Sequence, residues 1–423
     1  MGVVSSVLTG FLGEPVKRAD CFRSFTGIKI IMADLSKITC IEDLRKVAKR
    51  KVPKMFYDYV DCGSYTESTY RANTSDFERL KFRQRVAVDI SNRSTKTTML
   101  GESVAMPLAI SPTGITGMQR ADGEILAAKA AEAFGVPFTL STMSCCSIED
   151  VAANTTRPFW FQLYMMKDRE FMARLIQRAK KAGCSALVVT LDLQVLGQRH
   201  LDIKNGLSTP PKPTLRNLLN LATKPEWCWH MLHTKRRSFG NIVGHIPEAD
   251  DLKILAMWTA EQFDATLNWN DLEWIKEQWG GKIILKGILD ARDAEMAIKC
   301  GADAIVVSNH GGRQLDGAPS SIQALPAIVE TVKNHNSSME VFIDGGIRTG
   351  QDILRAYALG ADAVMVGRAF LYGLGAYGQA GVYRALELLQ KELDVSMAFC
   401  GHTDIRNVDK DILFIPDDFH AIR

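Results

Sequence analysis

Hydrophobic residues along this chain gather in short unbroken runs rather than alternating patterns. The runs read PLAIS (107–111), PFTLS (137–141), FWFQLY (159–164), ALVVTLD (186–192), KIILKG (282–287), AIVVSN (304–309), EVFIDGG (340–346) and AVMVG (363–367). Continuous apolar, β-branched runs of this length predict strands buried on both faces. Between most of them lie helical patterns rich in Ala, Lys and Glu, such as DGEILAAKAAEAFG, DREFMARLIQRAKKAG and DARDAEMAIKCGA. Several close on Gly, as helix C-termini often do. Eight strand-like runs alternating with helices predict an α/β fold, a (β/α)8 TIM barrel. A doubly wound sheet is the alternative. It needs fewer strands and usually carries GxGxxG after the first, a spacing that PLAISPTGITG lacks.

The gap between the fourth and fifth runs is too long for one helix, which predicts an insertion over about 207–265. Residues 34–106 read as a helical N-terminal cap, with the periodicity of IEDLRKVAKRKVPKMFYDYVDCG broken at Pro53. Residues 34–423 then form one domain. The apolar stretch in VVSSVLTGFLGEPVKRAD precedes its basic residues, the wrong order for a secretory signal. Residues 1–33 are expected to be a disordered extension, with Met32 an alternative start.

Composition narrows the class. The chain has 423 residues, 46% hydrophobic and 23% charged, the balance of a globular protein with a large core. A formal net charge of +3 is too small to argue for nucleic acid, and no RNA-binding or zinc-finger pattern is present. The nine Cys are scattered without a CxxC, which points to a reducing compartment, no disulfide framework and no metal site. Cys145 and Cys146 read as core packing. No apolar run approaches the ~18 residues of a membrane span.

Candidate chemistry gathers where the strands end. Gln162 and Tyr164 close the third run, Thr190 and Asp192 the fourth, and Lys286 the fifth. Ser308, Asn309 and His310 close the sixth, Asp344-Gly345-Gly346 with Arg348 the seventh, and Gly367-Arg368 the eighth. A lone Lys after an apolar run is explained by its stem snorkelling to water. Six polar ends on one rim need another reason, because a buried polar group costs about 1–3 kcal/mol unless paired. They imply a polar ligand at the barrel mouth. DGGIRTG and VGRAF, each a glycine turn with an Arg, suit a phosphate at the seventh and eighth strands. Lys286 between that cradle and His310 suits a ligand ring that takes on negative charge. Flavin mononucleotide (FMN) fits this layout better than a dinucleotide, because no Rossmann fingerprint is present.

SNHGGRQLDGAPSSIQALPAI at 308–328 resembles the active-site signature of the FMN-dependent α-hydroxy acid dehydrogenase and oxidase family, and the likeness runs from about Ile38 to Gly401. The resemblance implies roles for particular residues. Tyr59 in FYDYVDCG and Tyr164 in FQLY are similar to the family's substrate-contacting tyrosines. Pro112, Thr113 and Gly114 resemble the stretch along the flavin ring. Ser141, Gln162, Thr190 and Ser308 resemble its polar contacts. His310 resembles the catalytic base, Asp192 its acid partner, and Arg199 and Arg313 the pair that holds the substrate carboxylate. Lys286 resembles the lysine near flavin N1. Asp344, Gly346, Arg348, Gly367 and Arg368 resemble the phosphate site. The implied reaction is oxidation of an L-2-hydroxy acid, L-lactate above others. His310 takes the hydroxyl proton as hydride leaves C2, or takes the C2 proton first; both routes stay open.

Met143 stands where glycolate oxidase carries a large aromatic, which leaves the substrate side chain open. Gly114 leaves space over the flavin that oxygen can use, so a soluble oxidase releasing hydrogen peroxide is the alternative. The insertion mixes Trp227 and Trp229 with Lys235, Arg236 and Arg237, which suits an interfacial membrane contact or a lid packed on the barrel. Its length and place resemble the segment of membrane-associated lactate and mandelate dehydrogenases. That implies a cytoplasmic enzyme, peripheral on the inner face of the cell membrane, passing electrons to quinone or a cytochrome. The family also implies a homotetramer.

Overall fold

The computed structural model describes residues 35–207, 214–244 and 261–420. The eight apolar runs form eight parallel strands: β1 (Leu108–Ile110), β2 (Thr139–Ser141), β3 (Trp160–Tyr164), β4 (Ala186–Thr190), β5 (Lys282–Ile288), β6 (Ala304–Val307), β7 (Glu340–Ile343) and β8 (Ala363–Val366). They pair in the order β1-β8-β7-β6-β5-β4-β3-β2. A parallel bridge between Ile110 and Phe138 closes the ring, with the Ile110 N–H donating to the Pro137 carbonyl at 2.8 Å. The TIM barrel is therefore the observed fold. In a doubly wound sheet the last strand would not lie beside the first.

Both faces of each strand are buried, which is why the runs lack alternation. Ala109, Trp160, Val188, Ile284, Val306, Phe342 and Met365 meet inside the barrel. Trp160 and Phe342 stack there at 6.1 Å, with 4° between their planes. Strand period two carries the interior columns upward, from Trp160 to Gln162, Val188 to Thr190, Ile284 to Lys286, Val306 to Ser308 and Phe342 to Asp344. All five polar residues are buried. The polar strand ends thus form the uppermost layer of the barrel interior. Register sets Tyr164, Thr190 and Lys286 side by side, and a shift between Lys286 and Ile288 re-aims β5 against β6.

The cap is helical over α1 (Ile41–Lys51), α2 (Lys54–Asp61) and α3 (Ser68–Arg79), with the expected break at Pro53, which caps α2. Residues 80–106 depart from the expected helical cap. Thr97–Met99 and Glu102–Val104 form an antiparallel hairpin. Its Met99, Leu100 and Val104 join the barrel core, and the Leu100 N–H donates to the Glu340 carboxylate at 2.9 Å. The hairpin plugs the N-terminal end, so a ligand enters only from the C-terminal mouth. Within the expected insertion lie α5 (Leu215–Ala222) and α6 (Pro225–His233), preceded by α4 (His200–Lys204). Residues 208–213 and 245–260 of that insertion, and the expected extension over 1–33, lie outside the described residues. After β8 runs α7 (Arg368–Phe399), interrupted at Tyr377 and Gly378, whose backbone is not helical.

Candidate active site

A cleft opens at the C-terminal mouth. Tyr59, Pro112, Thr113, Gly114, Tyr164, Arg199, Lys286, His310, Arg313, Asp344, Gly346, Arg348, Gly367 and Arg368 all line it. Residues more than 300 positions apart in the chain are brought together here.

His310 follows β6 in a loop of unusual backbone. Its φ is +57°, followed by +66° at Gly311 and +71° at Gly312. Three left-handed residues in succession persist only when the surroundings hold them. A Cβ at Gly312 would meet the Tyr70 backbone at 2.6 Å. The cap supplies the restraint. Asn73 and Asn309 exchange side-chain hydrogen bonds of 2.8 and 2.7 Å, and the Ser64 N–H donates to the Gly312 carbonyl at 2.9 Å. The His310 N–H donates to Ser308 Oγ at 3.1 Å.

So held, His310 places Nδ1 2.9 Å from Asp192 Oδ1. Burial disfavours charge on Asp192, but His310 and then Lys286 outweigh it and keep the carboxyl below its usual range. Burial pushes the imidazole below its ordinary value of 6.5, with Lys286 and Arg199 adding to the push and Asp192 opposing it. An ionised Asp192 accepts from Nδ1–H, so the neutral ring keeps its free lone pair on Nε2. Burial opposes the charge on Lys286 as well. Asp344 at 2.9 Å and Asp192 restore it, and the ammonium also donates to Ser308 Oγ at 2.8 Å.

Arg313 donates from Nη1 to the Tyr59 carbonyl and lies 4.6 Å over the Tyr59 ring. Among the described residues its Nη2 is buried without a partner, as is Arg199 Nε. The two guanidiniums repel each other, and with burial this lowers the pKa of Arg199. Two buried cations with unspent N–H groups call for an anion. Burial raises the Tyr164 hydroxyl pKa, so it stays protonated and able to donate.

Arg348 and Arg368 offer the cleft a second anion position. Arg348 and Arg368 make no ion pair with any described residue. Burial, then repulsion from Arg348, lowers the pKa of Arg368, whose nitrogens donate to the carbonyls of Val60, Gly311 and Cys62. Gly367 caps α7 without a side-chain bond, leaving first-turn N–H groups for a ligand. At Gly346, φ +85°, a Cβ would sit 1.8 Å from the Asn73 carbonyl oxygen, so the turn can only be glycine. Ser111 and Asp344 also line the cleft, and among the described residues Ser111 Oγ and Asp344 Oδ1 are buried without a hydrogen-bond partner. These residues fit a ligand with a phosphate at one end and a polar ring beside Lys286.

Four of the expected flavin contacts are not among the cleft-lining residues. Ser141, Gln162 and Thr190 are buried and bond one another: Ser141 Oγ donates to Gln162 Oε1 at 3.1 Å, and Gln162 Nε2 donates to Thr190 Oγ1 at 3.0 Å. Ser308 accepts from Lys286 and from the His310 N–H. Asp344, expected at the phosphate site, pairs with Lys286 at 2.9 Å. Sequence reasoning missed Ser111, Asp202 and Phe263. Ser111 ends its strand run with the same polar signal as the others. Phe263 carries no local signal; it enters from the far side of the insertion, pinned by an antiparallel bridge to Met166, and packs edge-on to Tyr164 at 5.6 Å.

Lys286→Met leaves Asp344 buried without its cation, so we expect a stability loss of about 3–5 kcal/mol. Thermal unfolding of the variant checks it, and an unchanged melting temperature would refute the pairing.

The sequence profile described as FMN-dependent dehydrogenase matches residues 48–414. An L-lactate dehydrogenase of Vibrio cholerae serotype O1 is 47% identical over 377 residues, covering 89% of this chain and 99% of that protein. An L-lactate dehydrogenase of Ectopseudomonas mendocina is 46% identical, covering 89% of this chain and 98% of its own. Among solved structures, the monotopic membrane protein (S)-mandelate dehydrogenase superposes with a TM-score of 0.85 at 37% identity, covering 89% of this chain and 99% of that one. Matched by this profile over residues 48–414 and by relatives at 46–47% identity, the chain belongs to the FMN-dependent dehydrogenase family.

Proposed function

We propose that the protein oxidises an L-2-hydroxy acid, L-lactate, to its 2-oxo acid, pyruvate, and passes the electrons to a quinone or cytochrome at a membrane surface. One observation carries the reading: an imidazole anchored by Asp192 through Nδ1 faces the same cleft as two guanidiniums whose N–H groups are orphaned among the described residues.

Bound FMN supplies the two-electron acceptor. Arg348, Arg368 and the α7 N-terminus hold its phosphate, and Lys286 keeps a fixed positive charge beside the ring. Pro112, Thr113, Gly114 and Ser111 line the ring's place, with Gln162 and its neighbours as the floor. Arg199 and Arg313 grip the substrate carboxylate and thereby aim C2. Tyr59 and Tyr164 donate to the substrate's oxygens. His310 Nε2 takes the hydroxyl proton while the C2 hydrogen departs with its electron pair, and a 2-oxo acid remains. Asp192 stabilises the imidazolium so formed and holds the ring's orientation. The same base serves the order in which the C2 proton leaves first.

The insertion supports the membrane reading. Leu215, Leu218, Leu219, Trp229 and Leu232 on α5 and α6 are exposed. The opposite side of this pair is tied down: Trp227 Nε1 donates to the Met118 carbonyl at 2.9 Å, and the Lys54 N–H donates to Asn220 Oδ1 at 2.7 Å. An apolar face turned outward on a firmly docked helix pair suits an interface. Among the described residues no helix is long and apolar enough to cross a membrane. The reading extends to a homotetramer on the inner face of the cell membrane, on the strength of the family resemblance.

His310→Gln should keep bound FMN yet lose flavin reduction by L-lactate about 10²–10⁴-fold; anaerobic single-turnover absorbance checks it, and a wild-type rate would end the assignment. The base works only when neutral, and its pKa is lowered, so activity should persist below pH 6.5 and fall only as pH drops through that lower value. A pH profile of flavin reduction whose acid limb lies above the ordinary histidine value would contradict this. With L-lactate in air the enzyme should release little hydrogen peroxide and should reduce quinone in vesicles. Stoichiometric peroxide would favour the oxidase.

A further inference from the structure

We propose that Asp202 is a built-in counter-charge of the carboxylate site, which holds the affinity for substrate and product down so that the product leaves. The inference rests on the reading of Arg199 and Arg313 given above.

Asp202 lies in α4, one turn after Arg199, with its side chain 11% exposed. Its Oδ2 stands 3.6 Å from Arg199 Nη1, and its Oδ1 accepts from the Cys62 thiol at 3.7 Å. Among the described residues no backbone N–H donates to its carboxylate. Burial pushes its carboxyl pKa up, and Arg313 and Arg199 are the cations that resist. Its charge in turn favours the charged form of both guanidiniums, against burial and, at Arg199, against repulsion from Arg313. Two guanidiniums and one carboxylate leave a single positive charge, which one substrate carboxylate neutralises. Without Asp202 the site would hold two.

Substrate and product carry the same carboxylate, so added attraction would bind both alike. Uniform binding of that kind lowers KM without speeding the chemical step, and it slows release. A charge a few ångströms away in a partly buried site is worth about tenfold or more in anion affinity. A carboxylate that only oriented Arg199 would behave in the opposite sense: its loss would loosen the guanidinium and weaken anion binding.

The FMN-loaded enzyme is mixed anaerobically with L-lactate to obtain its Kd and the limiting rate of flavin reduction, and pyruvate is titrated as competitor. Asp202→Asn should tighten L-lactate and pyruvate together, on the order of tenfold. The limiting reduction rate should change less, while steady-state turnover falls as pyruvate lingers. Asp202→Glu should restore wild-type affinities. Should Asp202→Asn not retain FMN, Asp202→Ser carries the same readout. Unchanged or weakened affinity for both anions would overturn the proposal. Arg199→Met, measured alongside, separates the two readings. If it leaves both affinities unchanged, the carboxylate-site reading fails. If it weakens them while Asp202→Asn does not tighten them, only the role of Asp202 fails.

Discussion

The contact between Asp192 and His310, 2.9 Å across the ends of β4 and β6, is the interaction on which the site depends. An ionised carboxylate at that depth needs cations, and it has two neighbours that supply positive charge or donate to it: the imidazole and the Lys286 ammonium. Lys286 in turn needs Asp344. The mouth of the barrel is thus a row of alternating charges, each tolerable only because the next is present. Removing any one exposes its neighbour to the full cost of burial. The same row fixes the chemistry, because an anchored Nδ1 leaves Nε2 free toward the cleft.

A barrel alone does not hold this row. His310 sits in left-handed backbone that costs energy, and the helices before the barrel meet that cost. Asn73 in α3 reaches Asn309 and also lies against the Gly346 turn, so one cap residue braces both the His310 loop and the glycine turn after β7. Tyr59 of α2 reaches the cleft from the same cap. The cap is therefore part of the site rather than a lid over a finished one.

Charge also sets what the cleft can take. Arg348 and Arg368, like Arg199 and Arg313, are in excess of their carboxylate partners among the described residues. On the proposed reading, a phosphate and a substrate carboxylate balance them. The outer helices α5 and α6 follow a different logic: polar and aromatic contacts fasten one side to the cap and barrel, and the leucines face out.

Much of this was legible in the chain. Unbroken apolar runs mark strands covered on both faces, and a polar residue ending each run marks the mouth, because period two and burial are local properties of a strand. His310, Arg313 and the glycine turns could be named from local spacing alone. Other features were not legible. That Ser141, Gln162 and Thr190 spend themselves on one another depends on strand register. That Asp344 turns to Lys286 depends on charges brought close only by ring closure. The hairpin at 97–104 read as part of a helical cap because its strands are three residues each, too short for periodicity to speak. Phe263 joins the cleft through its bridge to Met166, and Asp202 is held beside Arg199 through Cys62, 140 positions away. By itself the sequence determined which residue types stand at the strand ends, since each is set by its own strand. The tertiary structure alone decided which of them face the ligand and which face one another, because that depends on distances and fields between segments that are neighbours only once the ring has closed.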